Sequence, residues 1–517
     1  MIKEIELFIL PEFIEDYKYL RGLTAKKLKL NENEISLVRV DRRSIDARKH
    51  KPAYRLKVTV FVNEEPKDLF QPINLEPVSG SKTVHIIGSG PAGLFAALKL
   101  IEQGIKPIIY ERGKDVQERR RDLKAIQQEG IVNPDSNYCF GEGGAGTYSD
   151  GKLYTRATKR GNVKRILNLL VQHGAQNEIL IDAHPHIGSN VLPKVITEIR
   201  ETIIRCGGEI NFNSKLTGIK TADGKVESII VNETDEIKTD SVILATGHSA
   251  RDIYYLLDKN KISLEAKDFA MGVRIEHPQK LIDKIQYHSE VRHPNLPASS
   301  YSLTCQIDGR GIYSFCMCPG GIIIPSATSP DELVLNGMSI SRRDSPFANS
   351  GIVVTVTRDD WKHHKQHGIF AGLEFQKEIE RAAFDAGGGN QKAPAQRVTD
   401  FLKKRTSSTL PNTSYIPGVI SIGMNEVLPR KINYRLAKAI NYFGSRMKGY
   451  VTEEAQILAG ETRTSSPIRI LRDRETLMHP EVNGLFPAGE GAGYAGGIIS
   501  AAIDGERCAE AASNYIS

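Results

Sequence analysis

The stretch that decides the fold is TVHIIGSGPAGLFAALKLIEQGIKPIIYERG, residues 83–113. Its first five residues form a short apolar run, typical of a strand buried on both faces of a parallel sheet. Three glycines follow in the pattern GxGxxG, and apolar residues then recur at helical spacing. The next apolar run, PIIY, predicts another strand. The stretch therefore predicts a βαβ unit with a glycine-rich first turn.

The residues of this turn suit a nucleotide diphosphate. Gly88 permits the tight turn, Gly90 lets the backbone approach a pyrophosphate, and Gly93 lets helix and strand pack closely. Pro91 lies in the first helical turn, where a missing N–H costs nothing, and the diphosphate would meet the positive end of the helix. Glu111 ends the second strand, where it is predicted to accept hydrogen bonds from both hydroxyls of an unphosphorylated ribose.

A second formal match to GxGxxG, the segment GEGGAG at 141–146, lacks this context. The segment NPDSN before it is turn-forming and is not a buried strand. The segment TYSDGKLYTR after it has no apolar helical face. We therefore predict a glycine-rich loop that passes close to another group, the alternative being an ordinary mobile loop. Residues 150–517 contain no further strand-GxGxxG-helix pattern, so a dedicated pyridine-nucleotide domain is not expected.

The composition restricts the class of protein. A chain of 517 residues is too long for one ordinary core, so two or three domains are expected. Its 40% hydrophobic and 25% charged residues are typical of a soluble globular protein. The N-terminus lacks the features of a signal peptide, and no segment approaches about 20 uninterrupted apolar residues, so we expect a cytoplasmic protein that does not span a membrane. Six sparse cysteines agree with a reducing compartment.

Several motifs occur together along nearly the whole chain: GSGPAG, the ER pair at 111–112, GEGGAGTYSDGKL, HPHIGS, RSIDARK, YSFCMCPGG, APAQR, ETRTSSPIRILRD and NGLFPAGEGAGYAGG. This combination resembles a bacterial family of FAD-dependent dehydrogenases whose substrates are mostly unassigned. The resemblance implies non-covalent FAD and an oxidoreductase that exchanges hydride between an organic substrate and the flavin N5. NAD(P)H is a candidate transient electron donor.

The resemblance also implies the architecture. We expect an α/β protein with a glutathione-reductase-type Rossmann-like FAD domain built from residues 81–258 and 416–517. An α+β substrate domain is inserted between them at 259–415. Strand and helix patterns in residues 1–77 predict a ferredoxin-like α/β domain, separated from the rest by a linker rich in Pro, Gly and Ser at 74–82.

The same resemblance assigns cofactor contacts to three further segments. The loop with Gly143 and Gly144 would wrap the flavin end, Glu490 would reach the ribityl chain where Asp is commoner, and the last helix would place its N-terminal N–H groups against the pyrimidine side. The expected cofactor-binding residues are Gly88, Gly90, Pro91, Ala92, Gly93, Glu111, Arg112, Gly143, Gly144, Gly146, Thr147, Ser149, Lys152, Ala245, Thr246, Gly247, Gly489, Glu490, Gly496, Gly497 and Ile498.

Four side chains are candidates for catalysis, each with a purely structural alternative. Lys152 would offer positive charge to the flavin, and His248 would contact the cofactor or lie at its edge. Arg463, beside a Thr-Ser-Ser run, suits a substrate carboxylate, with an ion pair to Glu461 as the alternative. Cys318 is a candidate reactive thiol.

Cys316 and Cys318 invite a redox interpretation. In a regular strand their Cα atoms would lie about 6.6 Å apart, near the upper limit for a disulfide. The alternative is two small buried side chains on one strand face.

Two histidine groups have spacings that raise the question of metal binding. His184 and His186 form an HxH pair, and His363, His364 and His367 lie in WKHHKQHG. Neither group has an adjacent HExxH pattern, so we expect a solvated face and no metal site.

The basic segment RVDRRSIDARKHKPAYRLK, residues 39–57, leaves a second function open. Its cations suit RNA or an acidic protein partner, so the alternative to a small-molecule oxidoreductase is a flavin-dependent RNA-modifying or macromolecule-docking protein. The simpler interpretation is a solvated strand face with local Asp pairing. The sequence leaves the oligomeric state open.

Overall fold

The computed structural model describes residues 1–48, 51–155 and 161–517. Its centre is a five-stranded sheet, called the first sheet, in which every neighbouring pair of strands is parallel. The predicted α/β class and βαβ unit are therefore confirmed. In sheet order its strands are Leu485–Pro487, Val242–Leu244, Thr83–Ile87, Lys106–Tyr110 and Glu209–Asn211.

The helices around the first sheet follow the apolar patterns of the sequence. Helix Pro91–Glu102 begins after the N-cap Gly90, with proline in its first turn, and it buries Leu94 and Leu98 completely. The last helix, Ile498–Ile516, packs closely against it, since a Cβ on Gly505 would lie 2.0 Å from the Ala92 carbonyl oxygen. The α-helices of the described chain are Tyr17–Leu28, Pro91–Glu102, Val116–Gln128, Val163–Gln172, Leu192–Arg205, Arg251–Lys259, Gln279–Tyr287, Ala371–Ala386, Val398–Leu402, Arg430–Arg446 and Ile498–Ile516.

A seven-stranded sheet, called the second sheet, forms the other large core. Its pairs are antiparallel except for the last two strands, which are parallel. In sheet order its strands are Thr304–Ile307, Arg310–Cys318, Phe347–Val356, Phe269–Pro278, Gln456–Glu461, Ala393–Arg397 and Val419–Ser421.

The second sheet corrects the predicted boundary at residue 415. Its strands Val419–Ser421 and Gln456–Glu461 lie in the part of the chain that the sequence assigned to the FAD domain. Helix Arg430–Arg446 also buries Leu436 and Phe443 in the core of this sheet. An apolar helix fits either core, so its periodicity alone did not reveal which sheet it covers.

The N-terminal unit is smaller than the sequence suggested. Its antiparallel sheet has the strand order Ile2–Ile9, Ala53–Val62 and Ile35–Asp46. Its helix Tyr17–Leu28 starts at Asp16, whose carboxylate accepts a hydrogen bond from the Tyr19 N–H at 2.8 Å. Among the described residues this βαββ unit has only part of the βαββαβ order of a ferredoxin-like domain.

The remaining strands of the described residues form three smaller sheets. They are Leu216–Ala222, Lys225–Val231 and Asp235–Lys238; Leu264–Ala266 with Ile468–Ile470; and Ile322–Pro325 with Leu335–Met338. The first two of these strands form a hairpin through Asp223 and Gly224. Within the described ranges, no helix is both long enough and apolar enough to cross a bilayer.

Candidate functional site

A cleft of roughly 290 Å³ lies beyond the carboxyl ends of the first sheet. Gly88, Ala245 and Ala488 line it, and each follows the end of a different parallel strand. The chain leaves strand Thr83–Ile87 toward one side of the sheet and returns on the other, and this switch point is where open α/β sheets bind ligands. The opposite wall comes from the second sheet, through Phe315, Cys316, Cys318 and Glu461. The strand Leu335–Met338 of a smaller sheet adds Asn336 and Gly337.

The first glycine turn is closely packed on the protein side. A Cβ on Gly93 would lie 1.9 Å from the Gly88 carbonyl oxygen, and one on Gly88 would lie 2.5 Å from the Ala245 carbonyl oxygen. Gly88 also has a φ of 101°. Gly90 differs, because its Cβ would meet only the Gly144 Cα at 3.9 Å. Gly88 and Gly93 are therefore required by packing, whereas Gly90 keeps its backbone open to the cleft.

Glu111 has more protein partners than the sequence suggested. One carboxylate oxygen accepts hydrogen bonds from the Ser89 N–H at 2.9 Å and the Ser89 hydroxyl at 2.8 Å. The other accepts from the N–H groups of Gly113 at 2.9 Å and Gly141 at 3.0 Å. Glu111 thus ties the first glycine turn to the second glycine-rich segment. The predicted ribose contact would have to share these acceptors.

The second glycine-rich segment forms a wall of the same cleft. It contains only the short 3₁₀-helix Gly144–Gly146, so it has neither the strand nor the α-helix of a second fingerprint. The Gly143 N–H donates to the Ser89 carbonyl at 3.0 Å. A Cβ on Gly144 would lie 3.1 Å from the Gly90 Cα. The two GxGxxG segments therefore pack on each other, which agrees with a close-passing loop.

A buried arginine that the sequence did not single out supports this wall. Arg119 donates to the carbonyl oxygens of Asn137 at 2.7 Å, Glu142 at 2.9 Å and Gly144 at 3.0 Å. Its guanidinium also lies 5.2 Å from the centre of the Tyr148 ring. Arg119 is one of several charged residues in helix Val116–Gln128, so its sequence pattern gave no signal for this role.

The third wall comes from the segment after Val242–Leu244 and from the start of the last helix. A Cβ on Gly247, Gly496 or Gly497 would meet no protein atom within 4 Å, and all three line the cleft. Glu490 accepts a hydrogen bond from the Gly497 N–H, and its carboxylate lies 3.7 Å from Nε2 of His248. Burial lowers the pKa of His248, with the nearby Glu490 carboxylate opposing the shift.

Most of the expected cofactor residues lie on the cleft. Three do not: Gly93 packs against the strand, Gly143 packs against Thr147, and the Thr147 hydroxyl donates to the Glu142 carbonyl at 2.9 Å. Those lining the cleft are Gly88, Gly90, Pro91, Ala92, Glu111, Arg112, Gly144, Gly146, Ser149, Lys152, Ala245, Thr246, Gly247, Gly489, Glu490, Gly496, Gly497 and Ile498.

The cysteine pair also lines the cleft but departs from the regular strand assumed for it. The register of strand Arg310–Cys318 shifts between Phe315 and Cys318, and Cys316 has a φ of 43°. Cys316 is exposed and Cys318 is buried, so the two do not share one buried strand face as the simpler interpretation held. A bulge of this kind re-aims a side chain. Burial raises the pKa of the Cys318 thiol.

Lys152 lies next to this bulge. Its ammonium group donates to the Met317 carbonyl, and the side chain lines the cleft beside both cysteines. The backbone on the other side of the bulge is held by Arg274, which donates to the Cys316 carbonyl at 2.8 Å. Arg274 also forms a buried ion pair with Glu461. Two cations thus fix the bulge at the cleft wall.

Arg463 does not pair with Glu461, the partner considered from the sequence. It contacts Glu380 at 2.9 Å and Glu332 at 2.5 Å instead. Arg251 binds the same two carboxylates, at 2.8 and 2.9 Å. These four residues are called the ion cluster. It joins helix Arg251–Lys259, which follows strand Val242–Leu244 of the first sheet, to helix Ala371–Ala386 beside the second sheet.

The pKa of Glu380 reflects the ion cluster. Burial alone would raise this pKa, but the positive charges of Arg251 and Arg463 outweigh it and hold the pKa at about 2. Glu380 is completely buried and therefore stays ionised between its two arginines. Arg463 is committed to these partners, which weakens the prediction that it clamps a substrate carboxylate.

Among the histidines that the structure describes, only His248 lines the cleft. His186 contacts the Ser341 carbonyl oxygen at 3.0 Å, and the His184 ring packs on Tyr154 with centroids 4.8 Å apart. The group at 363–367 approaches a carboxylate on the next helix.

The basic segment at 39–57 is extensively ion-paired; Lys49 and His50 lie outside the described residues. Arg43 binds Asp182 at 2.7 Å, and Arg55 binds Glu6 at 2.8 Å. Further pairs are Arg39–Asp41, Arg48–Asp46 and Lys57–Glu4. These contacts pair cations of the segment with carboxylates of the protein, and an RNA or acidic protein partner stays a prediction.

Comparison with known proteins gives a relative across the whole chain. It is an uncharacterised protein of Clostridium beijerinckii, 44% identical over 516 residues, with 96% of each chain covered. The chain belongs to the same family as this clostridial protein. Within the family, residues 268–464 match the model described as FAD-dependent protein, C-terminal domain-like. Residues 1–61 match a domain of unknown function. The first of these matches supports a flavoprotein with FAD as its cofactor.

Solved structures also resemble the chain at low identity. They include CtdE in complex with FAD, at 13% identity over 84% of each chain and a TM-score of 0.31. A geranylgeranyl bacteriochlorophyll reductase-like protein of Thermoplasma acidophilum is 12% identical over 84% of this chain and 79% of the other, with a TM-score of 0.35. A flavoprotein/dehydrogenase of Cytophaga hutchinsonii is 10% identical over 84% and 78%, with a TM-score of 0.36.

Proposed function

We propose that this chain is an FAD-dependent oxidoreductase that binds one FAD non-covalently along the cleft. The observation that carries the proposal is the meeting of three glycine-rich segments on one cleft at the switch point of the first sheet. When bound, FAD supplies the redox chemistry, exchanging hydride with an organic substrate. The protein supplies position and electrostatics.

The residues fit such a cofactor at its phosphates. Backbone next to Gly90 stays open to the cleft at the first turn of helix Pro91–Glu102. The unpaired N–H groups and positive end of that helix favour a diphosphate. The last helix, Ile498–Ile516, begins at the same cleft with Gly497 as its N-cap. It offers a second positive helix end to the cofactor.

We propose that the adenosine end lies toward Arg112 and Phe140. The Arg112 guanidinium lies 4.5 Å from the centre of the Phe140 ring and binds Asp252 at 2.7 Å. This pairing makes a firm, partly apolar wall of the cleft, to which Leu216 also contributes. Glu111, next to Arg112, holds the first glycine turn, which would contact the diphosphate.

We propose that substrate enters from the side of the second sheet. Cys316, Asn336 and Glu461 line the cleft there, and Lys152 reaches the same region. Cys316 lies on the bulge and is exposed, so its thiol is open to a substrate in this part of the cleft. The described residues contain one strand-GxGxxG-helix unit, and we assign it to FAD. NAD(P)H, the substrate or a partner protein would therefore have to reach the flavin directly, without a nucleotide-binding domain of its own.

Anaerobic reduction tests the enzymatic part of the proposal. Purified holoprotein should lose its flavin absorbance when a reductant is added, and an organic acceptor should restore it in a saturable, protein-dependent manner. The same panel of acceptors with an equal amount of free FAD is the control. If no small organic compound alters the redox state of the bound flavin faster than that of free FAD, the oxidoreductase proposal is wrong, although FAD binding would stand.

A further inference from the structure

Two histidines and a carboxylate meet outside the cleft. His363 and His364 belong to the short 3₁₀-helix Lys362–Phe370, and Glu378 belongs to the following helix Ala371–Ala386. The Nε2 atoms of His363 and His364 lie 2.8 and 2.6 Å from the same oxygen of Glu378. All three ligand atoms lie within 4.8 Å of one another. We propose that these side chains bind a divalent transition-metal ion of the Zn²⁺ type.

The backbone explains why the side chains converge. The 3₁₀-helix does not continue smoothly into the next helix, because Gly368 has a φ of 56° and a ψ of −122°. This non-helical glycine lets the short helix fold back on helix Ala371–Ala386. Two adjacent histidines on a regular helix would diverge by about 100°. Here both instead reach a carboxylate two turns into the next helix.

The ligand chemistry is that of a zinc-type site. Imidazole nitrogen and carboxylate oxygen are preferred ligands of Zn²⁺, and three protein ligands leave a position for water. Both Nε2 atoms share one acceptor oxygen of Glu378. To bind a metal, each Nε2 must offer a lone pair, so a proton on Nε2 would move to Nδ1 or be released to solvent.

A buried aromatic group holds both rings in place. Phe375 is only 1% exposed, and the His363 ring meets it edge-on with centroids 5.6 Å apart. The His364 ring lies 6.4 Å from the same centroid. Rings seated on a packed side chain lose less rotamer freedom when metal binds, which favours binding.

The metal would clamp the short helix to the next one. Phe370, at the junction of the two helices, stacks on Tyr255 with ring centroids 4.5 Å apart. Tyr255 belongs to helix Arg251–Lys259, which follows the cleft residues Ala245, Thr246 and Gly247. By holding the short helix in place, the clamp would keep Phe370 in contact with helix Arg251–Lys259. It does not depend on the proposal that FAD occupies the cleft.

Calorimetric titration of the full-length, metal-free holoprotein with Zn²⁺ tests the site. We expect one Zn²⁺ per chain at this site and a higher melting temperature in its presence. Glu378→Gln and His363→Ala should each weaken binding at least about tenfold. Gln366→Ala, an exposed position of the same short helix, is the matched control and should bind as the wild type does.

Circular dichroism and the melting temperature without Zn²⁺ verify that each variant is folded. The double variant His363→Ala/His364→Ala should abolish both the heat of binding and the melting shift. A wild-type protein that binds no Zn²⁺ would overturn the proposal. So would Zn²⁺ binding that survives in folded Glu378→Gln and the double variant, since the ion would then lie elsewhere.

Discussion

Gly93→Ala is expected to destabilise the protein by about 3 kcal/mol or more and to abolish FAD binding. The new Cβ would lie 1.9 Å from the Gly88 carbonyl oxygen and 3.3 Å from the Ile86 side chain. Neither neighbour is the free end of a flexible chain, so helix and strand must move apart. Chemical denaturation gives the stability, and a fluorescence titration with FAD gives the affinity.

Gly90→Ala is the matched variant, because it separates packing from cofactor binding. Its Cβ would meet only the Gly144 Cα at 3.9 Å, and Gly90 has an ordinary φ of −70°. We expect a stability close to that of the wild type and an FAD affinity at least about tenfold lower. An unchanged affinity in folded Gly90→Ala would show that this turn does not hold the pyrophosphate.

Glu380→Ala should cost about 3–5 kcal/mol of the free energy of unfolding. The substitution would leave Arg251 and Arg463 buried with only Glu332 to balance them. Because the ion cluster joins the two sides of the cleft, FAD affinity should fall together with stability. Urea denaturation and FAD titration measure the two effects.

Glu374→Ala, on the same helix, is the control for Glu380. Its carboxylate pairs with Lys377 at 2.9 Å near the surface, so its loss should change stability by less than about 1 kcal/mol. Equal losses of stability in the two variants would show that the ion cluster stabilises the protein no more than a surface ion pair does. A large loss of stability with an unchanged FAD affinity would show that the ion cluster does not help to form the FAD site.

The ion cluster also gives an expected pH dependence. The pKa of Glu380, about 2 in the folded protein, lies below the ordinary value of about 4.3 for an unfolded glutamate. Its contribution to stability is therefore complete above the ordinary value and is lost as the pH falls toward 2. The difference in the free energy of unfolding between wild type and Glu380→Gln should narrow over that range. A difference that stays constant would contradict the assigned charge state.

Local signals made the first turn predictable. The strand, Gly88, Gly90, Gly93 and the helix lie within twenty residues, so their roles follow from spacing alone. Context also ruled out a second fingerprint at 141–146.

Long-range contacts explain what the sequence did not predict. Arg119 supports a loop through carbonyl oxygens, which carry no sequence signature. Arg463 finds Glu380, 83 residues away in sequence, rather than the nearby Glu461. The bulge at Cys316 interrupts an otherwise regular strand pattern, and no single residue type predicts such a bulge.

The amount of FAD bound per chain tests the central claim most directly. We propose that both GxGxxG segments serve one cofactor, so protein reconstituted with excess FAD, freed of unbound cofactor and denatured should release one FAD per chain. Gly90→Ala should lower this occupancy when FAD is limiting. A protein that is colourless and cannot be reconstituted, or one that releases two FAD per chain, would contradict the account.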